Sequence, residues 1–195
     1  MIYDELFLKD LFLQRNKVVY ARITSLTMDE LPLETIEGRV TSGSVNLDGA
    51  SVVRRTCQLS LISEITNLTD YYWGLNTKFK LEIGIYNNIN SAYPTICWFK
   101  QGIFLITSFA QAFSVNNYTI NISGKDKMCL LNGEIGGSLP AQIDFGTIEE
   151  TDKDGNTKII SLPIKQIIRN AVHEYGGEPY HNIIINDLDM NGLEL

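Results

Sequence analysis

Ile36 to Ile62 reads IEGRVTSGSVNLDGASVVRRTCQLSLI. Val45 and Leu47 alternate with Ser44 and Asn46, and Asp48-Gly49 then supplies residues that tolerate positive φ. Beyond it Val53, Cys57, Leu59 and Leu61 alternate with Arg54, Thr56, Gln58 and Ser60. Two period-2 runs around Asp-Gly signal a hairpin between half-buried strands. The extra Ala50 and Ser51 predict a loop of about four residues rather than the tightest turn. Strict alternation puts Arg55 on the face of Cys57 and Leu59, so the strand either bulges there or holds Arg55 at a rim.

On the N-terminal side, Val18 to Leu26 reads as a first strand and Met28 to Leu33, with Pro32, as its loop. Before them Leu6, Phe7, Leu11, Phe12 and Leu13 stand among charges in Tyr3–Leu13, a helix or an arm too apolar to float free. It packs on its own barrel or crosses to a neighbouring subunit; the first is the simpler expectation. On the C-terminal side, Ser63–Asn76 is a polar connection carrying Tyr71, Tyr72 and Trp73. Phe79, Leu81, Ile83 and Ile85 alternate with Lys78, Lys80, Glu82 and Gly84, a strand with one wet face. Tyr86–Pro94 is rich in Asn and is expected to be an exposed loop. Cys97–Phe99 leads through a turn at Lys100-Gln101-Gly102 into Ile103–Phe109, apolar on both faces and therefore a central strand. Tyr118, Ile120 and Ile122 alternate with Thr119, Asn121 and Ser123 to give the next.

The period then changes. Lys125–Gly133 reads as one or two helical turns with Gly133 in the left-handed position at its end. Glu149–Asn156 is a charged hairpin tip between Ile143–Ile148 and Thr157–Ile160; its Asp152, Asp154 and Asn156 imitate a calcium loop. Thr157 and Pro163 stand where that loop needs Gly and Glu. Ser161–Tyr175 is the best helix, with Ser161 as N-cap and Gly176-Gly177 as stop. Ile164, Ile167, Ile168, Ala171, Val172 and Tyr175 form one stripe, which leaves His173 off it and solvated. Asn182–Asp187 reads as a last short strand, and the ending at Met190–Leu195 reads as interrupted, so the fold is expected to continue beyond it or to be completed by a partner.

The expected fold is mainly β with minor α, a β-barrel or sandwich with helices near 126–132 and 162–175. The expected domains are 1–133, a barrel with an N-terminal arm, and 134–195, an α+β segment. The candidate barrel-strand or inter-subunit residues are Val45, Leu47, Arg55, Leu59, Ile83, Ile106 and Ile120. The candidate arm contacts are Leu6, Phe7, Leu11 and Phe12.

Sixteen Lys+Arg against 23 Asp+Glu give a net charge of −7, without the basic patch of a nucleic-acid binder. Such a surface repels DNA and suits a wall that DNA slides past. Cys57, Cys97 and Cys129 form no Cys-x-x-Cys pair and read as buried free thiols. No signal peptide or membrane-length stretch stands out. Gly136-Gly137 precedes no helix, no Gly-x-Ser-x-Gly elbow occurs, and His173 and His181 lack the spacing of a zinc-binding helix. No catalytic, cofactor or metal site is expected.

The order of segments resembles the N-terminal part of a tailed-bacteriophage baseplate hub or tail-associated (tail-tip) protein. The resembling stretches are Leu31–Gly49, Val53–Leu61, Phe79–Ile85, Trp98–Ser108 and Tyr118–Gly133, the last a strand ending in Lys125-Asp126-Lys127 before a small helix. The resemblance covers Met1–Gly133, and Ser161–Gly177 fits the region after the barrel. It implies a tail-tube-like barrel whose strands join across subunits into a ring lining the DNA channel between tail tube and tail-tip spike. It implies self-association in a symmetric ring, a trimer before a hexamer, and docking to tail tube and other baseplate proteins. DNA would pass without specific binding and no membrane would be involved. The chain would reside in the virion, made in the host cytoplasm. The chain is short for a hub and carries no lysozyme or peptidase module, which leaves hub and distal tail protein as alternatives. From a different class stands a carbohydrate-binding β-sandwich module, with Tyr71, Tyr72, Trp73, Tyr93 and Trp98 as stacking platforms.

Overall fold

A computed structural model describes residues 3–63, 68–114, 117–134, 147–151 and 157–185. The chain divides into two compact units, Met1–Lys127 and Met128–Leu195, six residues before the 133/134 break expected from sequence. The protein is mainly β with minor α.

Unit 1 is a closed antiparallel barrel preceded by helix α1 (Glu5–Leu13). Its strands are β1 (Val19–Leu26), β2 (Pro32–Leu47), β3 (Arg55–Ser63), β4 (Lys78–Tyr86), β5 (Ile96–Ser114) and β6 (Asn117–Asp126), in the order β1-β2-β3-β6-β5-β4. Closure comes from β1 pairing with β4, from Val19↔Ile85 to Leu26↔Lys78. Six strands leave an interior only as wide as side chains can fill. Ile23, Ile36, Leu61, Phe79, Phe104 and Ile120 fill it, each fully buried. Each such side chain contributes about 1.5–3 kcal/mol relative to exposure.

The Ile36–Ile62 hairpin forms with β2 and β3 paired from Arg39↔Ile62 to Leu47↔Arg55. Its loop runs from Asp48 to Arg54, longer than the expected four residues, and is closed by the Asp48 amide donating to the Arg54 carbonyl at 2.8 Å. Val53 therefore lies off the strand, though it is buried. Pro32 and Leu33 open β2 rather than belonging to the loop before it.

The expected turn at Lys100–Gly102 is instead a bulge inside one 19-residue strand, β5. Leu81 pairs with Gly102 and Glu82 with Lys100, so Gln101 is the extra residue. Gly102 takes φ +124, a backbone that side chains rarely adopt, and a Cβ there would sit 2.3 Å from Arg55 Nη1. That guanidinium donates to the Gln101 carbonyl at 2.8 Å and lies 5.7 Å from the Phe104 ring centroid. Arg55 opens β3 with regular pairing, so the rim reading holds and β3 has no bulge there.

The outer face of β4 is covered rather than wet. Lys78 is 1% exposed, and Glu82 is buried between Arg22 and Lys80. The Tyr86–Pro94 loop is exposed as expected over most of its length, and buried Asn87 organises it, accepting from the Ile89 and Asn90 amides and donating to the Asn90 and Pro94 carbonyls. At this end of the barrel α1 buries Phe7 and Leu11 against Ile85 and Cys97, with Tyr3, Tyr93 and Phe99 around them. Asp4 caps the helix through the Leu6 amide.

Unit 2 holds helix α2 (Met128–Leu131), hairpin β7–β8 (Thr147–Thr151 and Thr157–Ser161) and helix α3 (Ile164–Glu174). Lys125 and Asp126 stay in β6, so the first helix is shorter than expected, and Gly133 takes φ +78. Ser161 ends β8 instead of capping α3, whose N-cap is Pro163. His173 is half-buried rather than solvated. Its ring stacks on Tyr180 at 3.8 Å, and Nδ1 lies 2.8 Å from the Glu178 carbonyl. Tyr180–Asn182 is a 3-10 turn, with the Asn182 and Ile183 amides bonded to the Pro179 and Tyr180 carbonyls, and Ile183–Ile185 is not strand. Asp152, Asp154, Asn156 and Ile143 lie outside the described residues, as do Asn186, Asp187 and the Met190–Leu195 ending.

Candidate functional site

The barrel closes over only part of its length. β1 covers β2 as far as Arg39, and β4 covers β5 as far as Leu105, with Asn76 and Thr77 bonding Ile106 just beyond. Past those points β2 (Val40–Leu47) and β5 (Thr107–Ser114) each keep one neighbour, β3 and β6 respectively. Among the described residues no strand lies along their other edges. The result is a four-stranded sheet, β2-β3-β6-β5, bordered by an open edge on each side. Because each neighbouring pair is antiparallel, β5 runs antiparallel to β2. The β5 edge of one copy can therefore continue the ladder along the β2 edge of another without a change of pairing type.

The outer face of this sheet differs from the rest of the barrel. Its rows read Ser42–Ser60–Asn121 and Ser44–Gln58–Ser123, with Ser108 beside Ser123. Hydroxyls and amides bond across it: Thr41 Oγ1 donates to the Ser60 carbonyl at 3.0 Å, and Ser60 Oγ to Asn121 Oδ1 at 2.5 Å. A depression of about 460 Å³ runs along it, lined by Ser42, Gln58, Ser60, Ser108, Asn121 and Ser123. The β1–β4 side is charged by contrast: Arg22 bonds Glu37 at 3.0 Å, reaches Glu82 at 3.9 Å and lies 4.0 Å from the Trp98 ring.

The candidate residues divide between core and periphery. Leu59, Ile106 and Ile120 are buried inside the barrel, and Ile83, Val45 and Arg55 are half-buried on its strands. Leu47, at the end of the β2 overhang, is 76% exposed. Of the arm, Phe7 and Leu11 are buried against their own barrel, whereas Leu6 is 71% and Phe12 47% exposed.

Among the described side chains, Trp73, Tyr93 and Trp98 have separate partners rather than one shared platform. Trp73 is buried, stacked on Phe109 at 5.4 Å, and donates Nε1–H to Glu34. Tyr93 stacks on Phe7 at 4.0 Å, and Trp98 carries Arg22. Burial pushes the Cys57 thiol up to about 12, so it stays protonated at neutral pH and is no nucleophile. Among the described residues no group of three or more His, Cys, Asp or Glu is placed to hold a metal ion, and no helix is long and apolar enough to cross a membrane.

Sequence reasoning missed a buried ionic cluster. Glu30 Oε1 lies 2.7 Å from Lys127 Nζ and 3.4 Å from Lys78 Nζ, and Lys78 Nζ donates to the Met28 carbonyl at 2.8 Å. Glu30 itself takes φ +64. Burial alone would raise its carboxyl; the hydrogen bond and charge of Lys127, then Lys78, more than offset this and hold it below the usual range. Lys78 sits in a clean alternating strand, and nothing local marks it as buried.

No protein-family model matches the chain, and no curated protein sequence matches it. Three solved structures are similar over part of it. The lidless PdpA-VgrG complex is 13% identical with a TM-score of 0.39, covering 62% of this chain and 21% of that one. The lidded Francisella PdpA-VgrG complex is 11% identical at 0.39, covering 71% and 18%. The half-lidded Francisella complex is 12% identical at 0.39, covering 63% and 19%. The chain thus spans about a fifth of the length of the chains it matches.

Proposed function

We propose that this chain is a structural virion protein of a phage tail baseplate, a ring subunit of the central hub that joins tail tube to tail-tip spike. It catalyses no reaction and uses no cofactor. The observation that carries the reading is the pair of open edges on one four-stranded sheet. An open edge invites pairing with another chain. Joining β5 of each copy to β2 of the next satisfies both edges and yields a continuous barrel. This heterologous contact closes into a ring.

The sheet's outer face lines the channel in this reading. Serine, glutamine and asparagine side chains neither attract phosphates, as a basic wall would, nor leave apolar area exposed. Strand number bears on the copy number: open aqueous channels appear at about 16–18 strands. Three copies supplying four strands each reach only about twelve, and six reach about twenty-four. A sixfold ring, or a threefold ring with a second such sheet per chain, therefore suits DNA passage. The partners are the tail tube and other baseplate proteins, and the protein is made in the host cytoplasm before entering the virion.

The test is gold-labelled antibody against the chain on particles from a producing culture, viewed by negative-stain electron microscopy. Label at the tail tip, or exposed there after mild disruption, is the expected result. Particles that never label, with the protein free in the soluble fraction, would overturn the reading.

A further inference from the structure

The strand order β1-β2-β3-β6-β5-β4 is unchanged when β1 is exchanged with β4, β2 with β5 and β3 with β6. The registers obey the same exchange residue by residue. Ala21↔Gly38 and Ile23↔Ile36 in the first half correspond to Phe79↔Phe104 and Leu81↔Gly102 in the second. Val40↔Leu61, Ser42↔Ser60 and Leu47↔Arg55 correspond to Ile106↔Gly124, Ser108↔Ser123 and Phe113↔Tyr118. Where β1 meets β4, Ile23 pairs with its own counterpart Leu81. Where β3 meets β6, Leu59 pairs with its own counterpart Ile122. A twofold axis through those two pairs therefore maps the pairing of β1–β3 onto that of β4–β6.

Strand order alone does not require the details that follow the same axis. Thr41 is the extra residue of a bulge in β2, and its counterpart Thr107 is the extra residue of a bulge in β5. β1 covers β2 as far as Arg39, and β4 covers β5 as far as its counterpart Leu105. The residues repeat too. Val40-Thr41-Ser42 answers Ile106-Thr107-Ser108, and Thr56-Cys57-Gln58-Leu59-Ser60 answers Thr119-Ile120-Asn121-Ile122-Ser123. The depression on the outer face takes Ser42, Gln58 and Ser60 from one half and their counterparts Ser108, Asn121 and Ser123 from the other.

The interior departs from the repeat where it must. Space on a twofold axis can be filled only once, so bulk in one half has to meet small residues in the other. Phe79 and Phe104 stack at 5.7 Å, and a Cβ on Gly124 would lie 2.7 Å from Phe79 Cε1. Their counterparts are Ala21, Gly38 and Leu61, all buried, with Leu61 Cδ1 2.6 Å from where a Gly38 Cβ would be. Two rings over a glycine in the second half thus replace a leucine beside alanine and glycine in the first.

We propose that the barrel is a fused homodimer: β1–β3 and β4–β6 are two copies of one three-stranded unit. The β1–β4 and β3–β6 seams are then the self-complementary interface by which that unit recognises a second copy of itself. One unit alone would leave its apolar face open, and the second copy covers it. The open strand edges are counterparts as well, so the barrel presents one kind of edge twice. This holds for a single barrel whatever assembly it enters.

The test transfers the interior of each half into the other and follows thermal melting of the full chain. Phe79→Ala alone leaves a cavity and should melt at least about 6 °C below the wild type. Adding Gly124→Leu copies the Ala21 and Leu61 arrangement with little change in volume and should raise melting again. In the first half Ala21→Phe overfills the interior and should lower melting. Adding Leu61→Gly copies the placing of Phe79 over Gly124 and should raise it, or restore a cooperative transition where Ala21→Phe has none. Ala21→Phe/Leu59→Gly removes the same side chain from an inward position that does not correspond, and should rescue nothing. Gly124→Leu that fails to raise the melting of Phe79→Ala would overturn the duplication. So would Leu61→Gly that fails to rescue Ala21→Phe, or that rescues it no better than Leu59→Gly.

Discussion

Replacing Glu30 with Gln removes a carboxylate that bonds both Lys127 and Lys78 while keeping its shape. Breaking a buried pair by removing one partner costs about 3–5 kcal/mol, because it leaves a charge uncompensated. Here Lys127, with 22% of its side chain exposed, regains water, but Lys78, 1% exposed, cannot. The Met28 carbonyl and the Gln amide oxygen offset part of the loss, so about 2–3 kcal/mol is expected. At about 2–4 °C per kcal/mol for a chain of this size, melting should fall by about 4–12 °C. The sign is tested by adding Lys78→Met. That change removes the stranded charge and fills its space with apolar atoms, so the double variant should be more stable than Glu30→Gln alone. Acid supplies a third arm. The folded Glu30 pKa lies below the ordinary 4.5, so its contribution is complete above pH 4.5 and is lost as pH falls through the folded value. Wild type and Glu30→Gln should therefore converge in acid. Urea titrations from neutral to acid pH read all three. Additive losses in the double variant, or a Glu30→Gln cost below about 1 kcal/mol, would refute the cluster as described.

Other consequences reach different parts of the barrel. Cys57, with its thiol pushed up to about 12 by burial, should resist alkylation in the native state and react only as urea unfolds the chain, as read by mass spectrometry. Trp73→Phe deletes the hydrogen bond to Glu34 and should cost about 1.5–3 kcal/mol in denaturant, the range for bonds to charged groups. Gly102→Val forces a branched side chain into φ +124 against Arg55 Nη1; a loss of at least about 2 kcal/mol is expected, and a variant as stable as wild type would disprove the bulge geometry.

The strands of the barrel were legible because their inward residues alternate without interruption. In sequence β4 and β6 show the period of two, and the Ile36–Ile62 hairpin shows it twice. Where the chain departs from that period the reading failed. Lys100-Gln101-Gly102 has the composition of a turn, yet Gly102 makes a bulge because β4 pairs with the strand on both sides of Gln101 and Arg55 bonds the Gln101 carbonyl. Lys78 and Glu82 look like a solvent face because local sequence does not carry the loop at Thr27–Leu31 or Arg22, which cover them. Ser161 offers a good cap but is taken by β8. The open edges were invisible for a related reason. Whether a strand has one neighbour or two depends on how far its partners extend, and nothing in Val40–Leu47 or Thr107–Ser114 records that β1 and β4 stop short.

That mismatch in length closes the barrel and still leaves strand edges unpaired, as the proposed assembly requires. Had β1 and β4 run as long as β2 and β5, Val40–Leu47 and Thr107–Ser114 would each have had a second strand neighbour. Had they been absent, the four-stranded sheet would expose its apolar inner face as well as its edges, and would aggregate. The observed lengths keep Ile36, Leu61, Phe104 and Ile120 covered while leaving Val40–Leu47 and Thr107–Ser114 with one strand neighbour each among the described residues. Backbone bonds in an edge are satisfied by water until a partner arrives, so leaving them open costs little. Their pairing is directional, in contrast to an apolar patch, which accepts many partners. In the proposed ring each neighbouring copy, in antiparallel register, would complete one of the two edges. In that ring the hydroxyl and amide face between the edges would stay out of the contact and line the enclosed channel.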